Sequence, residues 1–139
     1  MIGTLPGELS ALKELQVLSL EKGALSGSIP SSFGSLSNLQ KLDLDYNALT
    51  GPIPLSLSNA KNISVLDLNG NRLTGGIEAL ANLPLLVFAQ LHSNDFSGTI
   101  PQSLGNLELL RKCSKQKLFV TDSTFPQGVN FSDHTPLST

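Results

Sequence analysis

The stretch Lys41-Leu42-Asp43-Leu44-Asp45-Tyr46-Asn47-Ala48-Leu49-Thr50-Gly51-Pro52-Ile53-Pro54 decides how this chain folds. Its first five residues alternate polar with apolar, the period-2 pattern of a short strand with one buried face. Leu42 and Leu44 are expected to point inward, and Lys41, Asp43 and Asp45 outward. Three residues past the second leucine, Asn47 stands where the chain must turn, and an asparagine amide can serve a backbone donor and a backbone acceptor together. Gly51 suits a turn with positive φ or close backbone packing. Ile53-Pro54 then imposes an extended residue and fixes the φ of the next, starting an outer segment. Pro30-Ser31-Ser32-Phe33 and Pro101-Gln102-Ser103-Leu104 read in the same way, as helical turns opening on proline.

Working outward from that stretch, its positions recur. Leu18-Ser19-Leu20, Leu42-Asp43-Leu44 and Leu66-Asp67-Leu68 fall at 24-residue intervals, and Ala89-Gln90-Leu91 follows after 23. Leu25, Leu49, Leu73 and Phe96 form a second column, Gly27, Gly51, Gly75 and Gly98 a third, and Ile29, Ile53, Ile77 and Ile100 a fourth. Self-similarity at such a period marks a stacked-repeat solenoid. One short strand cannot bury its apolar face alone. Equivalent strands stacked at about 4.8 Å make a parallel sheet whose inward leucines form a continuous core. The unit containing Ile77-Glu78 lacks the proline and is one residue short before Leu80, which predicts a local distortion on the outer side.

These residues resemble the leucine-rich repeat family, and its plant-type subclass in particular. From Leu36, the slots filled by Leu36, Leu39, Leu42, Leu44, Asn47, Leu49, Thr50, Gly51, Ile53, Pro54, Leu57 and Ser58 match that unit, with only its last glycine missing. The resemblance covers about residues 2 to 113. It implies an α/β solenoid: a right-handed superhelix with a short parallel sheet on the concave face and an outer side that is mostly irregular, 3-10 or short-helical. It also implies that Asn47, Asn71 and Asn94 form a buried hydrogen-bonded ladder, each member worth about 1–3 kcal/mol. Gly23 occupies the equivalent slot in the first complete unit, so the ladder is expected to start at the second.

The 139 residues have room for a partial first repeat and about four more, one domain over 1–113, followed by an irregular tail or makeshift cap over 114–139. Residues 2 to 11 match only the second half of a unit, so a piece of a longer protein or a truncated product is expected. Solenoids need shielded ends, and marginal stability follows from open ones. Past Leu110 the register fails: Cys113 keeps a leucine slot, but Lys115 stands where a core leucine is needed, and Leu118-Phe119-Val120 reads as a strand. A net charge of -2 with 14% charged residues argues against nucleic acid as partner. A single cysteine forms no internal disulfide and leaves the compartment open. Met1-Ile2-Gly3-Thr4 has no charged region followed by an apolar stretch, so no secretion signal is expected in this chain, and the apolar stretch Leu80 to Leu91 is too short for a membrane span. No membrane contact by this chain itself is expected. In a full-length parent, the family resemblance points to the cell exterior or surface.

The outward strand positions form columns on one face: Val17, Lys41, Val65, Phe88; Ser19, Asp43, Asp67, Gln90; Glu21, Asp45, Asn69, His92; and Lys22, Tyr46, Gly70, Ser93. Of these, Glu21, Asp43, Asp45, Tyr46, Asp67, Asn69, Phe88, Gln90 and His92 are the candidate ligand-binding residues, suited to a peptide or protein with basic or hydroxyl groups. Asp43 and Asp67 also fit a plainer role as solvated framework positions. Asp67-x-Asn69-x-Asn71 ending at Glu78 imitates a calcium loop, but Arg72 stands where that loop needs glycine and Asn71 belongs to the ladder. No metal site and no cofactor are expected. His92, His134 and Cys113 assemble no nucleophile and base, so catalysis is not expected. Arg111, Lys112, Lys115 and Lys117 make a solvated basic boundary. Asn62-Ile63-Ser64 and Asn130-Phe131-Ser132 have the pattern of glycosylation acceptors. The leading expectation is a non-catalytic recognition module like part of a receptor-like kinase or receptor-like protein ectodomain, with a possible co-receptor. The alternatives are an inhibitor of a secreted enzyme, as in polygalacturonase inhibitors, and a fragment without independent activity. An ice-binding surface ranks below these, because Lys41, Val65 and Phe88 interrupt any regular polar array.

Overall fold

The computed structural model describes residues 2–98, 101–106 and 118–119, with side-chain burial for 2–98 and 101–104. The first coil holds β1 (Ile2–Thr4) and the 3-10 helix η1 (Gly7–Ala11). The next runs through β2 (Val17–Ser19), β3 (Ala24–Gly27) and η2 (Ser31–Ser35). β4 (Lys41–Asp43), β5 (Ala48–Pro52) and η3 (Leu55–Asn59) repeat that order. So do β6 (Val65–Asp67), β7 (Arg72–Gly75) and η4 (Glu78–Asn82). The last set is β8 (Phe88–Gln90), β9 (Asp95–Phe96), η5 (Gln102–Asn106) and β10 (Leu118–Phe119).

The even-numbered strands form one parallel sheet in the order β10-β8-β6-β4-β2. Its register follows the sequence period: Leu18 lies beside Leu42, Leu42 beside Leu66, and Leu66 beside Ala89. These side chains are buried, as are Leu44, Leu68 and Leu91 beneath them. The core continues outward through Leu49, Leu73 and Phe96, then Ile53 and Ile77, and then Phe33, Leu57 and Leu80. Each fully buried leucine contributes about 1.5–3 kcal/mol relative to exposure. Most of that gain requires the coil above or below, which makes stability a property of neighbouring pairs. The first coil is covered on one side only, and Leu12 remains 52% exposed.

A second parallel sheet, β1-β3-β5-β7-β9, runs along the flank. The sequence pattern predicts turn and irregular chain here, and the structure differs. Stacking of the core places these segments side by side, and the glycine column permits the turn within them: Gly51 takes φ +76 and still pairs with Leu73 of the next coil. The outer helices are 3-10 rather than α because only one turn separates Ile53-Pro54 from the next leucines. Proline is the residue before η1, η2, η3 and η5 and not their first member, extended at φ -63, ψ 133 for Pro30 and φ -64, ψ 133 for Pro54. Successive i to i+3 bonds follow, Leu57 N–H to Pro54 O at 2.9 Å and Ala60 N–H to Leu57 O at 3.0 Å. The expected distortion is present at Ile77, whose φ -118, ψ 25 departs from the proline geometry, although η4 still forms. Gly34 fixes how closely η2 approaches η3, since a Cβ there would lie 2.1 Å from Ser56 O.

Leu118–Phe119 pairs with Ala89–Gln90 at the end of the first sheet. Leu118 therefore occupies the column of Leu18, Leu42, Leu66 and Ala89. Ile100, Cys113, the basic cluster Arg111, Lys112, Lys115 and Lys117, His134 and Asn130 lie outside the described residues. No described helix is long and apolar enough to cross a membrane.

Candidate functional site

The candidate residues occupy the exposed side of the first sheet and the turns that follow its strands. Register places Ser19, Asp43, Asp67 and Gln90 side by side. The backbone ladder continues past the strands: Lys22 N–H donates to Asp45 O at 3.0 Å, Tyr46 N–H to Asn69 O at 2.9 Å, and Gly70 N–H to His92 O at 3.1 Å. Glu21, Asp45, Asn69 and His92 thereby form the neighbouring column, and Lys22, Tyr46, Gly70 and Ser93 the last one.

The turn after each strand is held from beneath by the asparagine ladder. Asn71 Oδ1 accepts from Leu49 N–H at 3.0 Å, while its Nδ2 donates to Leu44 O at 2.9 Å and Leu68 O at 3.1 Å. Asn94 does the same one coil on, accepting from Leu73 N–H at 2.9 Å and donating to Leu68 O at 2.8 Å. Asn47 accepts from Leu25 N–H at 3.1 Å and donates to Leu20 O at 2.7 Å, in a half-buried setting. Gly23 has no amide to add to the ladder and keeps the backbone bond of its slot, N–H to Tyr46 O at 3.1 Å, as Asn71 N–H bonds to Ser93 O at 3.1 Å. Asn71 is thus committed to the core, and the calcium-loop offsets through Asn71 to Glu78 do not converge.

Above the ladder, Lys22, Tyr46 and Ser93 hold positive φ without being glycine (51, 47 and 56). At Gly70, with φ +65, an added Cβ would sit 2.7 Å from Tyr46 Cδ1, so the tyrosine ring lies over that glycine. Tyr46 is left 54% exposed as an aromatic platform beside Asp45. Phe88 is half-buried in the first column.

Asp43, Asp45 and Asp67 converge, each with a carboxylate oxygen within 4.8 Å of the others. Asp43 does not fit the solvated reading. It is 7% exposed, with Lys41 Nζ 3.0 Å from its Oδ2 and Asp45 N–H 3.4 Å from its Oδ1. Asn69, expected on an open surface, is 3% exposed. Its Nδ2 donates to Asp67 Oδ1 and, at 3.2 Å, to Gln90 Oε1, and its backbone N–H reaches Asp67 Oδ1 at 3.2 Å. Glu21 accepts from Ser19 Oγ at 3.2 Å, and His92 Nδ1 lies 3.3 Å from Ser93 Oγ. Two acceptors, Asp45 Oδ1 and Asn69 Oδ1, are buried with no hydrogen-bond partner.

The electrostatics follow from this crowding. Desolvation, then the charges of Asp43, Asp67 and Glu21, holds the Asp45 carboxyl above its ordinary value. Desolvation raises Asp67 as well, against the lowering effect of the two Asn69 hydrogen bonds. The Lys41 ammonium is raised by its hydrogen bond and charge pairing with Asp43. Lys41 joins the site although the candidate set lacks it; its place two residues before Asp43 on one strand face is the sequence signal for the ion pair.

The profile described as Leucine rich repeat matches residues 13–73, and a second leucine-rich repeat profile matches residues 86–107, together more than half of the chain. The chain belongs to the leucine-rich repeat family. Comparison with curated proteins gives no match. Among solved structures, this leucine-rich repeat chain is similar to the plant peptide hormone receptor RGFR1 in complex with RGF2 (36% identity, TM-score 0.75, 78% of this chain and 18% of that chain). It is also similar to the ectodomain of the receptor kinase SOBIR1 from Arabidopsis thaliana (34%, TM-score 0.75, 79% of this chain and 60% of that chain). A plant ice-binding protein is a third (35%, TM-score 0.72, 76% of this chain and 35% of that chain). The repeats are therefore of the plant type, and this chain spans less than two thirds of the length of each.

On the outer side, Asn62 of the first glycosylation pattern is exposed, with its Nδ2 donating to Ser37 O at 2.8 Å. Its counterpart Asn38 is half-buried and donates to Lys13 O at 2.9 Å.

Proposed function

We propose that this chain is a non-catalytic recognition module that takes a peptide or protein along its first sheet. The observation that carries this reading is the group Asp43, Asp45 and Asp67, in which Asp45 keeps an unpaired oxygen, with the unpaired Oδ1 of Asn69 and the exposed Tyr46 nearby. Such a face is short of donors and positive charge, which a lysine, arginine or hydroxyl-bearing side chain supplies. Glu21 and His92 extend the same column to either side, and Phe88 and Gln90 border it toward the last described coils. Similarity to plant receptor ectodomains, one of them bound to a peptide, supports the class of partner. A co-receptor against another face and a parent protein on the cell exterior belong to the same proposal.

The test is binding of a small panel of basic, acidic and neutral peptides by fluorescence anisotropy, to the parent and to an Asp45→Ala, Asp67→Ala double variant. The expected outcome is preference for basic peptides and at least a tenfold loss in the variant. Unchanged affinity in the variant removes this face from the reaction. An inhibitor role is separated by adding the chain to secreted polygalacturonase and following turnover, with no effect expected.

A further inference from the structure

The three crowded carboxylates alone would say little, since acidic groups cluster on many surfaces. Asn69 adds an independent observation. It is 3% exposed, its amide nitrogen rests on Asp67 Oδ1, and its Oδ1 finds no donor. Asp45, its neighbour across the ladder, carries a second buried and unpaired oxygen. A buried acceptor without a donor costs about 1–3 kcal/mol, and here one such oxygen belongs to the three carboxylates and the other to Asn69, whose amide nitrogen rests on Asp67. Lys41 engages only the Oδ2 of Asp43.

We propose that Asp43, Asp45, Asp67 and the Oδ1 of Asn69 bind a calcium ion. The donor set is oxygen throughout, which suits a hard cation. Calcium holds oxygens at about 2.3–2.6 Å, so ligands on opposite sides of one ion stand about 4.8 Å apart. That is the separation within which the three carboxylate oxygens already lie. Magnesium demands near-ideal octahedral geometry at about 2.0–2.1 Å and gives up its water reluctantly, whereas calcium accepts the irregular set that side chains from two coils offer. The ligands come from two successive coils, so the ion also ties β4 and its turn to β6 and its turn. Lys41 competes for Asp43 and swings away or stays on Oδ2 when the ion binds.

Tyr46 makes the site directly observable, because it is the single tyrosine in a chain without tryptophan and adjoins Asp45. Terbium serves as the probe: excitation of tyrosine should sensitise terbium luminescence on the whole chain, without any peptide present. Calcium should displace the signal with an apparent Kd of about 0.1–1 mM, as for modest oxygen-donor sites, and magnesium at least tenfold more weakly. Asp45→Asn and Asp67→Asn should each weaken calcium at least tenfold while circular dichroism shows an intact fold. Lys41→Gln should tighten it several-fold, which a purely structural role of these residues would not produce. No sensitised luminescence, no displacement by 10 mM calcium, or equal binding by parent and the aspartate variants would overturn the proposal. Because the titrations contain no peptide, failure here leaves the peptide reading standing, and the reverse holds as well.

Discussion

Replacing Asn71 by alanine tests whether the turn is held from within the core. The substitution removes four bonds, but their consequences differ. Leu44 O keeps Asn47 Nδ2 at 3.1 Å, Leu68 O keeps Asn94 Nδ2 at 2.8 Å, and Asn69 O keeps Tyr46 N–H at 2.9 Å. Leu49 N–H, which donated to Asn71 Oδ1, is left without its acceptor on a residue with no exposure. One orphaned buried donor costs about 1–3 kcal/mol, and the weakened carbonyls add a few tenths each. We expect a total of about 2–3 kcal/mol, a large fraction of the roughly 5–15 kcal/mol that holds a domain of this size. With a urea m-value of about 2 kcal/mol/M, the midpoint falls by about 1 M. Asn62→Ala is the matched control: it removes an amide bond of similar length, to Ser37 O at 2.8 Å, but at an exposed position. Its cost should stay within about 0.5 kcal/mol. Equal midpoint shifts for the two variants would refute the ladder argument.

Gly34→Ala places a Cβ against Ser56 O, so the outer helices must separate, and calorimetry should register a loss of about 1–3 kcal/mol. Gly70→Ala strains a residue at φ +65 and pushes the Tyr46 ring aside; it should cost about 1 kcal/mol in urea melts and lower terbium sensitisation in proportion to the ring's displacement. For Asp45 the sign follows from linkage. A carboxyl raised above its unfolded value binds protons more readily when folded, so stability falls as pH rises from the ordinary value of 3.8 through the folded one. Asp45→Asn should therefore be more stable than the parent at pH 7 and equal to it at pH 3, as read by urea titration at both pH values without divalent ions. A variant no more stable at pH 7 would show that the carboxylate is not penalised by its surroundings.

In the first sheet β2, β4, β6 and β8 were legible because their inward residues recur at the coil spacing, and a parallel register must follow when Leu18, Leu42 and Leu66 are required to share one core. The second sheet was less so. Ala24–Gly27, Ala48–Pro52 and Arg72–Gly75 each bury a single leucine and carry a glycine, a composition that argues for a turn in isolation. They become strands because stacking of the core already places them side by side. Proline positions marked to within one residue where η2, η3 and η5 start, while η4 starts after Ile77 without one. The strand at Leu118 was visible as an apolar run. Its pairing partner was not, since the chain returns to β8 only after the repeat spacing has been broken.

The candidate site was legible in position but not in environment, and the reason lies in the repeat. Stacking that brings leucines together beneath the sheet brings the intervening residues together above it, whatever their charge. Asp43 and Asp67 are directly paired in register, an arrangement that is unfavourable for like charges on adjacent strands. The chain offsets it locally, with Lys41 on Asp43 and the Asn69 amide on Asp67. Those contacts cover Asp43 and bury Asn69, which is why side chains that pattern reading places in solvent are found enclosed. Asp45 has no such local cation bonded to it and keeps an unpaired buried oxygen. A framework that needed only stacked leucines has no use for this leftover negative charge, which is why the proposals for this face call for a positively charged occupant.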